Sequence, residues 1–320
     1  MDHCQEASMM KSAVLTERGF EIRQADRPQC GPGEVLVRAS ACGICEGDAY
    51  QYRQMKSGKS FKPDLGHEGS GLIEAVGDGV EGLKTGDSVT AIDGPYGEYF
   101  VTRAERAVKL PEEIDPVWAM GEPLACVLHA APRFGIELGD RVALLGCGFM
   151  GLLCLEAALL EGPSHVCAMD LLDWRLETAK EFGADETLNV EGMSGEDLQK
   201  RLGEFDVVIE AVGNQAALDM AWPIVKQHGR IILIGYHQTN SGMRAVNMER
   251  WNFKAIDVIN GHVRRDDEKA EAMRRGIGLM AAGRLKMKPL VTEYDFGQIN
   301  KAFEDLINRK EGLYKAALVI

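Results

Sequence analysis

No uninterrupted apolar run in the 320 residues approaches the roughly 18–20 that a membrane span needs. The opening Met1-Asp2-His3-Cys4-Gln5-Glu6 lacks the basic start and apolar block of an export signal, so a cytoplasmic protein with no membrane partner is expected. Positive charge is in short supply. Lysine and arginine number 36 against 49 acids, and the resulting net charge of −13 repels a phosphate backbone, which argues against nucleic acid as a partner. The eight cysteines, at 4, 30, 42, 45, 126, 147, 154 and 167, are scattered and none follows Cys167. That spacing excludes the dense disulfide framework of a small secreted domain and leaves free thiols or a metal ligand. Internal repeats and low-complexity stretches are also missing, so a solenoid is not expected.

What is present suits two ordinary globular domains: 45% apolar and 27% charged residues, in a chain about twice the roughly 150 residues of one domain. From about residue 13 to 119 the sequence is punctuated by glycine and carries short alternating runs such as Val35-Leu36-Val37-Arg38-Ala39, the pattern of a β domain. After Gly139-Asp140 short apolar strands alternate with helical patterns, as in βαβ units around a parallel sheet. Strands are predicted at 141–145, 165–169, 205–211 and 230–234, and helices at 151–160, 174–182 and 216–227. Pro223 predicts a kink or an early end in the last helix. Beyond residue 262 come a helix (268–282), a strand (290–293), a helix (298–308) and a strand (315–320), too little for a third domain. This tail is expected to return and complete the first one, giving domains at 10–124 with 265–320, and at 125–264. The first nine residues read as an untethered extension.

Gly146-Cys147-Gly148-Phe149-Met150-Gly151 matches the dinucleotide fingerprint G-x-G-x-x-G and lies between a predicted strand and a predicted helix. In that setting Gly146 allows the tight turn, Gly148 lets backbone approach a pyrophosphate, and Gly151 allows close helix packing, with Met150 in the same loop. The helix N-terminus offers unpaired N–H groups to the phosphates. Asp170 ends the next strand at the distance expected of a carboxylate that binds the adenosine ribose hydroxyls. A ribose phosphate would meet that charge with no cation at Leu171 or Leu172, so NAD is favoured over NADP.

Cys45, His67 and Glu122, the last in Gly121-Glu122-Pro123-Leu124, supply the residue types of a catalytic zinc with one position left open. On residue types alone, a buried cysteine and a core histidine explain them more economically. The order of motifs adds to this. Gly43-Ile44-Cys45, Gly66-His67-Glu68, Gly86-Asp87-Ser88-Val89, Glu122-Pro123-Leu124, the fingerprint and Glu210-Ala211-Val212-Gly213 follow one another over almost the whole chain from Met10. In this the sequence resembles the zinc-dependent medium-chain dehydrogenase/reductase superfamily, and within it the sorbitol and threonine dehydrogenase branch, because Glu122 stands where alcohol dehydrogenases have cysteine.

The resemblance implies an α/β protein with a GroES-like β-barrel catalytic domain and a Rossmann domain with a doubly wound parallel sheet. It implies one catalytic zinc on Cys45, His67 and either Glu68 or Glu122, with Arg175, Val212, Gly213 and Lys315 near the cofactor. Two departures matter. The stretch from Val89 to Tyr99 contains no cysteine where relatives often hold a structural zinc, so that ion is expected to be absent. Gly47 stands where relatives commonly relay the alcohol proton through a hydroxyl, which leaves Glu122 first, then Glu68, Asp48, Tyr50 or a water chain. The implied activity is hydride transfer between NAD and a secondary alcohol in a polyol, sugar or hydroxy-amino acid. The alternatives are reduction of a larger apolar carbonyl in a pocket shaped by Gly47, Tyr50, Tyr52 and Phe61, and a nucleotide-binding relative without turnover. A homodimer or homotetramer is expected.

Overall fold

The computed structural model describes residues 9–320. The chain runs β1 (Met9–Thr16), β2 (Gly19–Asp26), β3 (Glu34–Gly43), α1 (Glu46–Lys56), β4 (Gly69–Val76), β5 (Ser88–Ala91), β6 (Tyr99–Arg103), β7 (Ala107–Lys109) and α2 (Gly121–Ala130). It continues through β8 (Arg141–Leu145), α3 (Phe149–Leu159), β9 (His165–Asp170), α4 (Asp173–Glu181), β10 (Glu186–Asn189), α5 (Gly195–Leu202), β11 (Phe205–Glu210), α6 (Gln215–Ile224), β12 (Val225–Leu233), α7 (Met248–Lys254) and β13 (Asp257–Asn260). It closes with α8 (Asp266–Ala281), β14 (Val291–Asp295), α9 (Ile299–Ile307) and β15 (Lys315–Val319). Two compact units result: the chain up to Ala125 with Arg265–Ile320, and Cys126–Arg264.

In the first unit a seven-stranded sheet has the order β14-β15-β3-β4-β5-β7, with β6 also paired to β3. β15 runs antiparallel to β3, Leu318 facing Cys42 and Ala317 facing Gly43, so the last strand is carried to the end of β3. The core beside it is aromatic. Phe20 lies 4.7 Å from Phe303 and 5.9 Å from Tyr52 between ring centroids, and Tyr96 meets Phe303 edge-on. Tyr52 therefore does not wall a substrate pocket as anticipated: it is 1% exposed and stacked in this core, with Phe61 packed against the same cluster.

In the second unit all strands are parallel, in the order β10-β9-β8-β11-β12-β13. Strand order reverses between β8 and β11, which makes that crevice the switch point where ligands of doubly wound sheets bind. The central strands are buried on both faces, which explains their unbroken Val, Ile and Leu runs. Pro223 sits in the last turn of α6, and the chain turns directly into β12 at Val225. Regular pairing of β12 resumes at Arg230 after an irregular stretch with His228 at φ +59°. Three short elements not anticipated from the pattern are β10, α5 and β13, and α7 is a fourth. The N-terminal extension lies outside the described residues except for Met9, which is already the first residue of β1.

Candidate metal and dinucleotide sites

Cys45 is the N-cap of α1, where its sulfur accepts the Gly47 N–H at 3.4 Å. A helix N-terminus favours a thiolate. His67 and Glu68 lie in the turn that enters β4, where Gly66 at φ +99° brings backbone so close to Tyr96 that a Cβ would sit 2.8 Å from its nitrogen. Together these elements place one donor atom each from Cys45, His67 and Glu68 within 4.8 Å of one another. Behind His67, Asp48 Oδ2 stands 3.7 Å from Nδ1 and accepts the buried Tyr96 hydroxyl at 2.7 Å. A carboxylate behind a ligating imidazole fixes ring orientation and tautomer.

Glu68 is 1% exposed and is paired with Lys315 from β15. The ammonium donates to Oε1 at 2.7 Å and lies 2.5 Å from Oε2 without hydrogen-bond alignment, so Oε2 keeps a buried acceptor lone pair unused. Room for the pair depends on Gly43, where a Cβ would overlap Glu68 Oε2 and stand 2.7 Å from the Met120 sulfur. Burial is the largest single influence on the Lys315 ammonium and works to lower it, but the charges of Glu68, Cys45 and Glu122 and the hydrogen bond to Glu68 together outweigh it, and the net shift is upward. Burial, and then the charge of Glu68, push the Cys45 thiol up. A divalent cation removes that penalty. Thiolate, imidazole, carboxylate and an unused lone pair together are a donor set that fits zinc.

Glu122 stands in the first turn of α2, half-buried and outside the Cys45, His67 and Glu68 group, though its charge reaches both Cys45 and Lys315. Asp48 is buried against Tyr96, and burial pushes its carboxyl up. Nothing steric demands Gly47, since a Cβ there would make ordinary contact with the Cys45 sulfur at 3.7 Å. Lys315, expected beside a pyrophosphate, instead has its Nζ against Glu68, a pairing across 247 positions that no local pattern signals. Tyr96 was likewise not singled out in the sequence.

In the second unit the fingerprint loop joins β8 to α3. Gly146 adopts φ +97°, and a Cβ on Gly151 would overlap the Gly146 carbonyl oxygen. Gly148 is the N-cap of α3 and supplies no side-chain cap, so the first N–H groups remain available to an anion. A Cβ on Gly148 would meet only Arg175 Nη1, at 3.7 Å, and Met150 lies in the first turn of α3. Asp170 closes β9 and braces this loop: Oδ2 accepts the Cys147 N–H at 2.8 Å, while Oδ1 accepts those of Leu171 and Leu172 at 2.8 and 3.1 Å. Arg175 Nη1 is 3.8 Å from Asp170 Oδ2. Val212 and Gly213 form the turn after β11, with Val212 45% exposed. Uncapped N–H groups, glycines at the close approaches and the acid on β9 fit a dinucleotide.

A family model described as an alcohol dehydrogenase GroES-like domain matches residues 31–112, and one described as a zinc-binding dehydrogenase matches residues 150–281. Human sorbitol dehydrogenase is 30% identical over 325 residues, covering 89% of this chain and 88% of its own length. Chicken (Gallus gallus) sorbitol dehydrogenase is 29% identical over 346 residues, covering 94% and 93%. Among solved structures, an alcohol dehydrogenase from E. coli CFT073 complexed with NADH shares the fold at a TM-score of 0.86 and 24% identity, covering 98% of this chain and all of that one. Among the described residues no helix is long and apolar enough to cross a membrane. On fold, motif order and these matches, the chain belongs to the zinc-dependent medium-chain dehydrogenase superfamily.

Proposed function

We propose that the protein is an NAD-linked zinc dehydrogenase that oxidises a secondary alcohol in a polyol, sugar or hydroxy-amino acid, or reduces the corresponding carbonyl. The convergence of Cys45, His67 and Glu68 within 4.8 Å carries this reading, because a pure nucleotide-binding module has no use for an open metal site. Sorbitol dehydrogenases from two vertebrates are among the relatives, which favours the polyol and sugar class. When bound, zinc supplies a Lewis acid that makes an alcohol proton labile near neutral pH, and the nicotinamide supplies the hydride acceptor.

The chain's own residues do the rest. Cys45, His67 and Glu68 hold the metal, Asp48 and Tyr96 orient His67, and Lys315 offsets the charge of Glu68. With no hydroxyl at Gly47 the proton leaves through a carboxylate, Glu122 ranking first because its charge reaches the cluster from α2. NAD is preferred over NADP because Asp170 presents a carboxylate where a ribose phosphate would lie. One zinc per chain is expected, since the connection between β5 and β6 has no thiolate and Asp93 there is held by Thr102 and Arg106. Pairing into a homodimer or homotetramer through β13 is favoured by the free edge of that terminal strand and by Phe253 nearby in sequence, 85% exposed.

Metal analysis combined with an NADH absorbance screen over polyols, sugars, hydroxy-amino acids and apolar carbonyls tests the reading. One zinc per chain and turnover on the first three classes, both lost in Cys45→Ala, are expected. Turnover without metal, or unchanged turnover in Cys45→Ala, would overturn it.

A further inference from the structure

Glu210 is fully buried at the end of β11 and ties two loops together. Its Oε1 accepts the Val212 and Gly213 N–H groups at 2.9 and 2.6 Å, and its Oε2 faces His237 Nε2 at 3.1 Å, in the loop after β12. On the other side of that imidazole, Arg244 Nε donates to Nδ1 at 2.9 Å. A guanidinium only donates, so Nδ1 accepts and the ring proton sits on Nε2, pointed at Glu210. Arg244 then reaches back to the first loop, donating from Nη2 to the Gly213 carbonyl at 3.1 Å. The circuit closes on itself: Glu210 to His237, to Arg244, to Gly213, and back to Glu210.

Around it the two loops are in backbone contact. Gly213, at φ +81°, lies so near Tyr236 that a Cβ would stand 2.7 Å from its nitrogen, and a Cβ on Gly235 would overlap the Gly213 nitrogen. Gln215 adds a second clasp, its amide exchanging hydrogen bonds with the backbone of Ala245 at 2.8 and 2.9 Å. A surface loop that needed only solvent and its own turns would not recruit a buried carboxylate, an imidazole and a guanidinium.

The place of this circuit gives it a use. The fingerprint loop and Asp170 lie on β8 and β9, the half of the sheet that takes the adenosine end of a dinucleotide. The other half of the cofactor must then lie over the C-terminal ends of β11 and β12, where the circuit sits and Val212 is left exposed. We propose that His237 is the positioning residue for the nicotinamide half of the cofactor, fixing the turn at 211–213 against the loop at 235–244 in the conformation that half needs. This rests on the dinucleotide reading above. A loop already held in place need not be ordered on binding, so its gain appears as affinity for that half alone.

The test compares NADH with ADP-ribose, which lacks the nicotinamide, by titration calorimetry on the zinc-loaded protein. In His237→Ala, NADH affinity is expected to fall about tenfold or more, the effect of losing a hydrogen bond to a charged group, while ADP-ribose affinity stays within about threefold. His237→Gln restores most of the loss, because its amide can donate to Glu210 and accept from Arg244. If His237→Ala does not fold, Arg244→Lys, which keeps charge but loses the Nε donor, is expected to give the same selective loss. Equal losses for both ligands, or no loss for NADH, would overturn the proposal while leaving the dinucleotide site intact. A wild-type protein that binds neither ligand would overturn the dinucleotide reading itself.

Discussion

Replacing Lys315 by methionine leaves the carboxylate of Glu68 buried without its cation. In the folded protein the ammonium touches both oxygens, at 2.7 and 2.5 Å, with the two side chains 6% and 1% exposed, so solvent cannot take its place. Removing one member of such a pair typically costs about 3–5 kcal/mol, most of it the stranded charge rather than the lost attraction. At roughly 2–4 °C per kcal/mol for a unit of 150–250 residues, the melting temperature should fall by roughly 6–20 °C. The comparison is made on chelator-treated protein, so that no divalent ion can substitute for the lysine, by urea and thermal unfolding followed by circular dichroism. Glu68→Leu combined with Lys315→Met removes both charges, and this double variant should recover most of the loss, because apolar replacement of a whole buried pair is often neutral or stabilising. A single variant that loses less than about 1 kcal/mol, or a double variant no more stable than the single, would refute the reasoning.

Gly151→Ala forces a methyl onto the Gly146 carbonyl oxygen, so the fingerprint loop must open; NADH affinity measured by fluorescence should fall at least about tenfold, as when a charged hydrogen bond is lost. Gly47→Ser meets only ordinary contact at the Cys45 sulfur, so its unfolding midpoint should match wild type to within about 0.5 kcal/mol. Asp305 is held down to about 2 by hydrogen bonds from Lys301, Tyr294 and Lys310. A lowered folded-state value adds stability above the unfolded carboxyl value of about 4 that is lost as pH falls toward 2. Asp305→Asn should therefore cost about 1 kcal/mol at pH 7, after allowance for solvent screening, and only a small fraction of that near pH 2, where the folded carboxyl is half protonated, as read by urea unfolding at the two pH values.

Local signals carried well from sequence to structure. The fingerprint glycines, Asp170 at the end of β9 and the stop at Pro223 each depend on neighbours within about twenty positions, and each stands where the pattern put it. Short elements were missed for a different reason. β10 and β13 have four residues each, too few for a period to emerge, and β13 is mostly exposed. α5 did carry a readable start, Ser194-Gly195-Glu196-Asp197, which forms a capping box. In the candidate site the order of motifs pointed to Cys45, His67 and either Glu68 or Glu122, and could not choose between the two carboxylates, because which side chains converge depends on residues brought in from elsewhere. Lys315 is the plainest instance. A lysine opening the last strand has no local reason to be buried, and only the antiparallel pairing of β15 with β3 sets it against Glu68.

That pairing also imposes an order of assembly. The second unit is one continuous segment, Cys126–Arg264, whose strands find partners within the segment itself, so it is free to fold while synthesis continues. The first unit has no such freedom. Its sheet waits for β14 and β15, and until Lys315 emerges from the ribosome the carboxylate of Glu68 has no counter-charge to be buried with. In a nascent chain Cys45, His67 and Glu68 are thus made long before the strand whose lysine neutralises the buried carboxylate beside them.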